Sequence, residues 1–181
     1  MALLPARTYQ RIHMTSALQT YFQAEKKESM LFAAIGILAC WVGAALFLKA
    51  AAPFYIGLAV PLLLVGIIQI VVGTTVTRRT DQQLDDLERL LGEEPAQFRQ
   101  AESPRMAKVM RNFVIIRWVE IAVIAIGALL FAWQRELLFA KGLGLGMFGQ
   151  GIIMLIADYF AEKRGHIYRT FIEQLAAHWP H

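Results

Sequence analysis

Residues 30–48 read MLFAAIGILACWVGAALFL and contain no charged side chain. At about 1.5 Å of rise per residue, a helix of this length crosses most of the ~30 Å hydrocarbon core of a bilayer. A second charge-free run, residues 54–76, follows directly after Pro53, and Pro61 lies inside it. We expect these two runs to form a transmembrane hairpin.

Two further apolar runs occupy residues 113–133 and 142–160, and both contain charged side chains. The composition of the whole chain agrees with a membrane protein. Of its 181 residues, 57% are hydrophobic and only 18% are charged, with a mean hydropathy of +0.46, whereas soluble domains carry about 25% charged residues. The sequence therefore predicts an all-α polytopic membrane protein with four transmembrane helices.

The basic residues are distributed unevenly between the two sides of this predicted topology. If four spans alternate in direction, 14 of the 18 Lys and Arg residues lie on the side that holds both termini and the central loop. The positive-inside rule places that side in the cytoplasm. This bias accounts for the net charge of +4 without a nucleic-acid partner. Since no targeting segment is evident, we expect the inner membrane of a bacterium.

The two halves of the chain resemble each other. Gly66–Arg79, GIIQIVVGTTVTRR, matches Gly151–Arg164, GIIMLIADYFAEKR, at an offset of 85. GAALF, which starts at Gly43, matches GALLF, which starts at Gly127, at an offset of 84. Chance resemblance between apolar segments is the alternative, but the offsets agree across two helices. We therefore predict two tandem hairpins, residues 1–92 and 104–181, with helical extensions into the cytoplasm.

The segment between the predicted hairpins contains several helix-breaking signals. Thr80 and Gln83 have the spacing of a capping box that would start a separate short helix, with Gly92 as its stop. Residues 93–103 contain Pro95 and are predicted to be a linker. Ser103 and Pro104 would then begin the third helix.

Three charged residues lie within the predicted spans of the second half. Arg117 and Glu120 are three residues apart and share one face of a helix, and Asp158 lies at a depth that could reach Arg117. A charge in the hydrocarbon costs about 2.5–3.5 kcal/mol on insertion scales, so these side chains must face protein or water. They are candidates for a structural ion pair, for a proton- or ion-coupled site, or for contact with a partner protein.

The repeat bears on this choice, because it aligns Glu120 with Gly36 and Asp158 with Gly73. The acidic groups therefore occur in the second hairpin alone. A transporter built from two equivalent halves would more naturally duplicate its ion ligands, so this asymmetry disfavours the transport interpretation.

Small residues form a stripe on two of the spans. Gly142, Gly146 and Gly149 lie in the fourth span, and Gly36 and Gly43 lie in the first. Such spacing permits close approach of helices. It predicts packing either within the bundle or against another chain.

The sequence contains no recognisable catalytic motif and no cysteine pair or histidine set for a metal, so we expect no enzyme activity and no cofactor. We expect a non-enzymatic protein that acts through contacts with a membrane protein partner or with further copies of itself. An immunity protein that neutralises a pore-forming bacterial toxin is the most concrete form. A small oligomeric transporter or channel that uses Glu120 and Asp158, and a membrane-anchored scaffold, are the alternatives.

Overall fold

The computed structural model describes residues 6–49, 52–133 and 136–178, and these residues form four long α-helices. The helices are α1 (Ala6–Lys49), α2 (Pro53–Glu93), α3 (Pro95–Trp133) and α4 (Leu138–His178). Each has between 39 and 44 residues, which makes it about 60 Å long, or roughly twice the thickness of the hydrocarbon core. All four are long and apolar enough to cross a membrane. The prediction of an all-α, multi-pass membrane protein is confirmed.

The helices pack as two hairpins joined along one seam. α1 packs on α2, α3 packs on α4, and the hairpins meet mainly through α2 and α4. Contacts of α1 with α4 and of α2 with α3 are few, and α1 meets α3 through side chains, for example where the hydroxyl of Tyr21 lies 3.9 Å from the sulfur of Met106. Exchanging the hairpins leaves this pattern unchanged, so the bundle has an approximate two-fold arrangement.

Close contacts at glycines recur at the offsets found in the sequence. Gly43 packs against Leu62 and Leu63 within the first hairpin, and Gly127 packs against Met147 and Phe148 within the second. Gly43 and Gly127 are 84 residues apart, whereas Leu62 and Met147, and likewise Leu63 and Phe148, are 85 residues apart. In the same way, Gly66 lies against Cys40, and Gly151 lies against Ile124.

The helix ends beyond the apolar runs form a second packed region, which we call the extramembrane bundle (residues 15–29, 77–112 and 161–174). All four helices contribute to its hydrophobic core, which consists of Leu18, Tyr21, Phe22, Leu87, Leu91, Phe98, Met106, Met110, Tyr168 and Ile172. The spans themselves keep much apolar surface exposed, for example at Trp41 and Trp118. Burial of large side chains is therefore concentrated outside the membrane, where water drives it.

The predicted linker is the point at which the structure departs from the sequence analysis. α2 continues through Thr80, whose hydroxyl donates to the carbonyl of Val76 (2.7 Å) instead of capping a new helix. Residues 93–103 are helical except for Glu94, whose non-helical backbone separates α2 from α3. Pro104 lies inside α3. The physical reason is burial: this segment places Phe98 and Glu102 in the core, and tertiary contacts override local breaking signals.

Candidate binding crevice between α3 and α4

The first hairpin is sealed at the level where α1 and α2 enter the membrane. A Cβ atom on Gly36 would lie 2.6 Å from the carbonyl oxygen of Gly66, and one on Gly73 would lie 2.5 Å from that of Ser29. The same atom on Gly73 would lie 2.9 Å from the Cβ of Ala33. No larger side chain fits at these positions without moving a helix backbone.

The second hairpin carries charged residues at the equivalent positions. Arg117 takes the place of Ala33, Glu120 that of Gly36, and Asp158 that of Gly73, at offsets of 84 and 85. These side chains require space between the helices, and a crevice of about 980 Å³ lies between α3 and α4. Its lining includes all three charged residues.

The crevice runs from the interior of the membrane to the extramembrane bundle, and its character changes along the way. Its inner end is lined by Glu120, Ile121, Leu155 and Ile156, and its outer end by Phe113, Glu162, Lys163, His166 and Ile167. Chemically, it is an apolar cleft with a buried acid at its inner end and mixed charges at its outer end.

Glu120 is the most unusual side chain of this site. The residue is only 3% exposed, and both carboxylate oxygens are buried without a hydrogen-bond partner. Asp158 stands on the opposite helix in the same lining and is half-buried. A buried polar group is normally paired, because leaving it unpaired costs about 1–3 kcal/mol and more when it is charged. Glu120 therefore requires either a bound proton or a bound partner.

Arg117 forms its ion pair with Glu162 of α4, not with Asp158. Glu162 also lies 3.6 Å from Nε2 of His166. Glu162 was not predicted as part of this site, although its position four residues after Asp158 places it one turn along the same face of α4. The structure thus brings Arg117, Glu120 and Asp158 into one crevice, and the counter-ion of Arg117 comes from outside the predicted set.

No protein family, curated protein or solved structure matches this chain. Among the residues described, no group of three or more His, Cys, Asp or Glu side chains is arranged to hold a metal ion.

The glycines singled out in the sequence pack inside the bundle, with one exception. Gly142 and Gly146 lie against α2, where Gly142 contacts the backbone of Phe54 and Gly146 contacts Pro61. Gly149 differs, because a Cβ atom there would meet no other atom within 4 Å. Gly149 therefore does not pack inside the bundle, although its spacing of seven residues from Gly142 places it on nearly the same face of α4, and packing against another chain stays a prediction for it.

Two buried glutamines, which sequence reasoning did not single out, join α2 and α4 inside the membrane. The side-chain amide of Gln69 donates to the side-chain oxygen of Gln150 at 3.5 Å, and both residues are at most 2% exposed. Together with the glycine contacts, this pair closes the seam between the hairpins. The crevice is thus a lateral site between α3 and α4, away from the approximate two-fold axis.

The extramembrane bundle contains a buried network of charged and phenolic groups. Glu102 accepts hydrogen bonds from Nε of Arg105 (2.8 Å) and from the hydroxyl of Tyr168 (3.1 Å). Burial raises the pKa of Tyr168, and the neighbouring Glu102 raises it further. Burial also raises the pKa of Glu25, against the opposing effect of Arg79, whose guanidinium lies 3.9 Å away. This network holds the helix ends together next to the outer end of the crevice.

Proposed function

We propose that this protein is a non-enzymatic protein of the bacterial inner membrane, with both termini in the cytoplasm, which binds another membrane protein at the crevice between α3 and α4. The supporting observation is the difference between the two hairpins. Gly36 and Gly73 seal the first hairpin, whereas Glu120 and Asp158 leave the second one open. If the only role of the protein were to hold four helices together, small residues could seal the second hairpin as they seal the first.

The walls of the crevice are accessible from the lipid, as contact with a partner helix requires. Ile156 is 53% exposed and Ile121 is 39% exposed. The apolar window of α3 is also the least buried of the four. A partner helix laid along α3 and α4 would cover this apolar surface and bring its side chains within reach of the charged groups.

Cross-linking in living cells tests this proposal, and the repeat supplies matched controls. A photoreactive amino acid is introduced at Ile121 or Ile156, and separately at the equivalent first-hairpin positions, Ile37 and Val71. The control positions are 59% and 56% exposed, so they sample lipid at least as well. We expect a discrete adduct with another membrane protein from the crevice positions alone. Equal labelling from both hairpins, or no adduct from the crevice, would contradict the proposal.

Neutralisation of a pore-forming toxin from a competing bacterium is the most concrete form of this proposal. The helices carry little sequence outside the bundle, and the exposed charged crevice lies where an inserted toxin helix would meet it. Deleting the gene should sensitise the cell to the matching toxin and depolarise its membrane. If the membrane potential of the deletion strain is unchanged after exposure to each candidate toxin, this form of the proposal is excluded. The more general proposal of a membrane protein partner is then still open.

A small transporter is the second candidate, and the unpaired carboxylate of Glu120 is the observation that favours it. Buried acids inside membranes mark proton and ion pathways in many transporters. Against this candidate, the α2–α4 seam is closed by Gly57, Gly142 and the Gln69–Gln150 pair. If the protein transports a substrate, Glu120→Gln should abolish flux in proteoliposomes while the variant stays folded. Equal flux in the variant and the parent would remove Glu120 from the mechanism.

A further inference from the structure

We infer that the crevice between α3 and α4 is a binding site for a lipophilic organic cation, whose charged group pairs with Glu120 and whose apolar body lies against Ile121, Leu155 and Ile156. This inference goes beyond the proposed function, because it requires no partner protein. It concerns a ligand that reaches the crevice from the bilayer.

The size and lining of the crevice suit a small molecule. At about 980 Å³ it lies at the upper end of the range of roughly 300–1,000 Å³ that is typical of small-molecule pockets. Such pockets are mainly apolar and contain a few polar groups that orient the ligand. Here the apolar walls belong to α3 and α4, and the inner polar groups are Glu120 and Asp158.

The charges of the lining favour a cation over an anion. Three acids, Glu120, Asp158 and Glu162, face the crevice together with the bases Arg117, Lys163 and His166. His166 lies at the outer end, 3.6 Å from Glu162. Arg117 is already paired with Glu162, and Lys163 is exposed at the outer end. The inner end is therefore left with two acids, of which Glu120 is 3% exposed and has no hydrogen-bond partner. An organic cation would supply the missing counter-charge and would not need the polar ligand shell that a metal ion requires.

The route of entry is lateral. Ile156 and Tyr159 are more than half exposed on the lipid-facing side of α4, so an apolar cation dissolved in the bilayer reaches the crevice without crossing the extramembrane bundle. Aromatic side chains at the outer end, Phe113 and Phe160, also line the crevice and can contact a cation through their ring faces.

Binding of tetraphenylphosphonium to the purified full-length protein in detergent tests this inference by equilibrium dialysis. Tetraphenylborate, an anion of nearly the same size and shape, is the matched control ligand. We expect saturable binding of the cation, and much weaker binding of the anion. Glu120→Gln should weaken cation binding about tenfold or more, which corresponds to roughly 1.4 kcal/mol, and Asp158→Asn should weaken it less.

Two control variants, Glu173→Gln and Val71→Trp, distinguish loss of the site from general damage to the protein. Glu173→Gln removes an acid in an exposed ion pair with Arg169 outside the membrane and should bind the cation as the parent does. Ile156→Trp should fill the crevice and weaken binding, whereas Val71→Trp, at the equivalent position of the first hairpin, should not. Size-exclusion profiles and thermal midpoints establish that each variant is folded.

The outcomes that overturn the inference are clear. They are non-saturable binding, equal binding of the cation and the anion, or unchanged binding in folded Glu120→Gln. If Glu120→Gln does not fold, Asp158→Asn and Ile156→Trp decide, and unchanged binding in both overturns the inference. Because the purified protein is used alone, these results are independent of whether cross-linking finds a partner in cells.

Discussion

Gly57 of α2 and Gly142 of α4, which are 85 residues apart, pack reciprocally against each other's helices. A Cβ atom on Gly57 would collide with the carbonyl of Phe139, and one on Gly142 would collide with the carbonyl of Phe54. Phe54 and Phe139 are themselves equivalent positions of the repeat. The same contact is thus made twice, as expected of an interface with two-fold symmetry. It brings the two backbones into direct contact at the seam, so the space available for a ligand lies at the side of the bundle.

The first prediction concerns this reciprocal contact. Gly142→Ala should destabilise the protein by about 1–3 kcal/mol, because the added methyl group has no room beside the backbone of α2. Gly149→Ala, seven residues along the same helix, should be neutral or slightly stabilising, because its Cβ would meet no neighbour and alanine favours the helix by up to about 1 kcal/mol. Thermal unfolding in one detergent, followed by circular dichroism, measures both. Equal destabilisation by the two variants would contradict the geometry of the seam.

The second prediction concerns the buried ion pair outside the membrane. Arg105→Ala leaves the carboxylate of Glu102, which is 1% exposed, without its charged partner. Removing one member of a buried pair typically costs about 3–5 kcal/mol, because the remaining charge is uncompensated. The double variant Arg105→Ala/Glu102→Gln should recover part of this loss, since the neutral amide can still accept the hydrogen bond from Tyr168. If the double variant is less stable than Arg105→Ala, the loss does not arise from an unpaired charge.

The spans and the repeat could be predicted from the sequence, because both depend on patterns within a single segment. Uninterrupted apolar runs such as residues 30–48 set the positions of the helices in the membrane, and the two offsets hold among the observed contacts. The α2–α3 junction could not be predicted in this way. Among the local signals only Pro95 marks the break, which lies at Glu94. The helices continue through Thr80 and Pro104, because this segment buries Phe98 and Glu102 against residues far away in sequence.

The candidate site shows the same division between local and long-range information. Arg117, Glu120 and Asp158 could be identified because charges are rare within apolar runs. The pairing of Arg117 with Glu162 depends on the relative axial position of α3 and α4, which no single segment encodes. Gln69 and Gln150 are uncharged and lie in apolar surroundings, so only their mutual contact reveals their role.

The third prediction follows from the raised pKa of Glu25, which burial causes. A carboxyl group whose pKa is higher in the folded than in the unfolded state favours folding fully at pH values below its unfolded pKa, about 4.3 for glutamate. That contribution is lost as the pH rises through the folded-state pKa. Arg79, Arg164 and Arg105 oppose the shift, and Glu102 adds to it.

Glu25→Gln removes this titration and leaves the other groups of the bundle in place. The stability of the variant relative to the parent should therefore increase as the pH rises from about 4 to 8, because only the parent must ionise a buried acid. Denaturant midpoints of both proteins across this range give the difference directly. If the stability of Glu25→Gln relative to the parent decreases as the pH rises, the arginines determine the pKa of Glu25 more strongly than burial does.

The fourth prediction exchanges residues between the hairpins. Gly73→Asp places the acid of the second hairpin into the sealed first one, where even a Cβ atom would lie 2.5 Å from the carbonyl oxygen of Ser29. It should destabilise the protein by several kcal/mol, since overpacking alone typically costs about 1–3 kcal/mol and an unpaired buried charge adds to that cost.

The reverse exchange should behave differently. Asp158→Gly removes a half-buried side chain from an open crevice, and its main cost is the lower helix propensity of glycine, about 1 kcal/mol. Thermal midpoints of both variants, measured in the same detergent, test this asymmetry. If the two exchanges prove equally costly, the open crevice of the second hairpin and the close packing of the first do not depend on these residues. A large cost for Gly73→Asp alone would support the view that Asp158 is tolerated because its hairpin has opened around it.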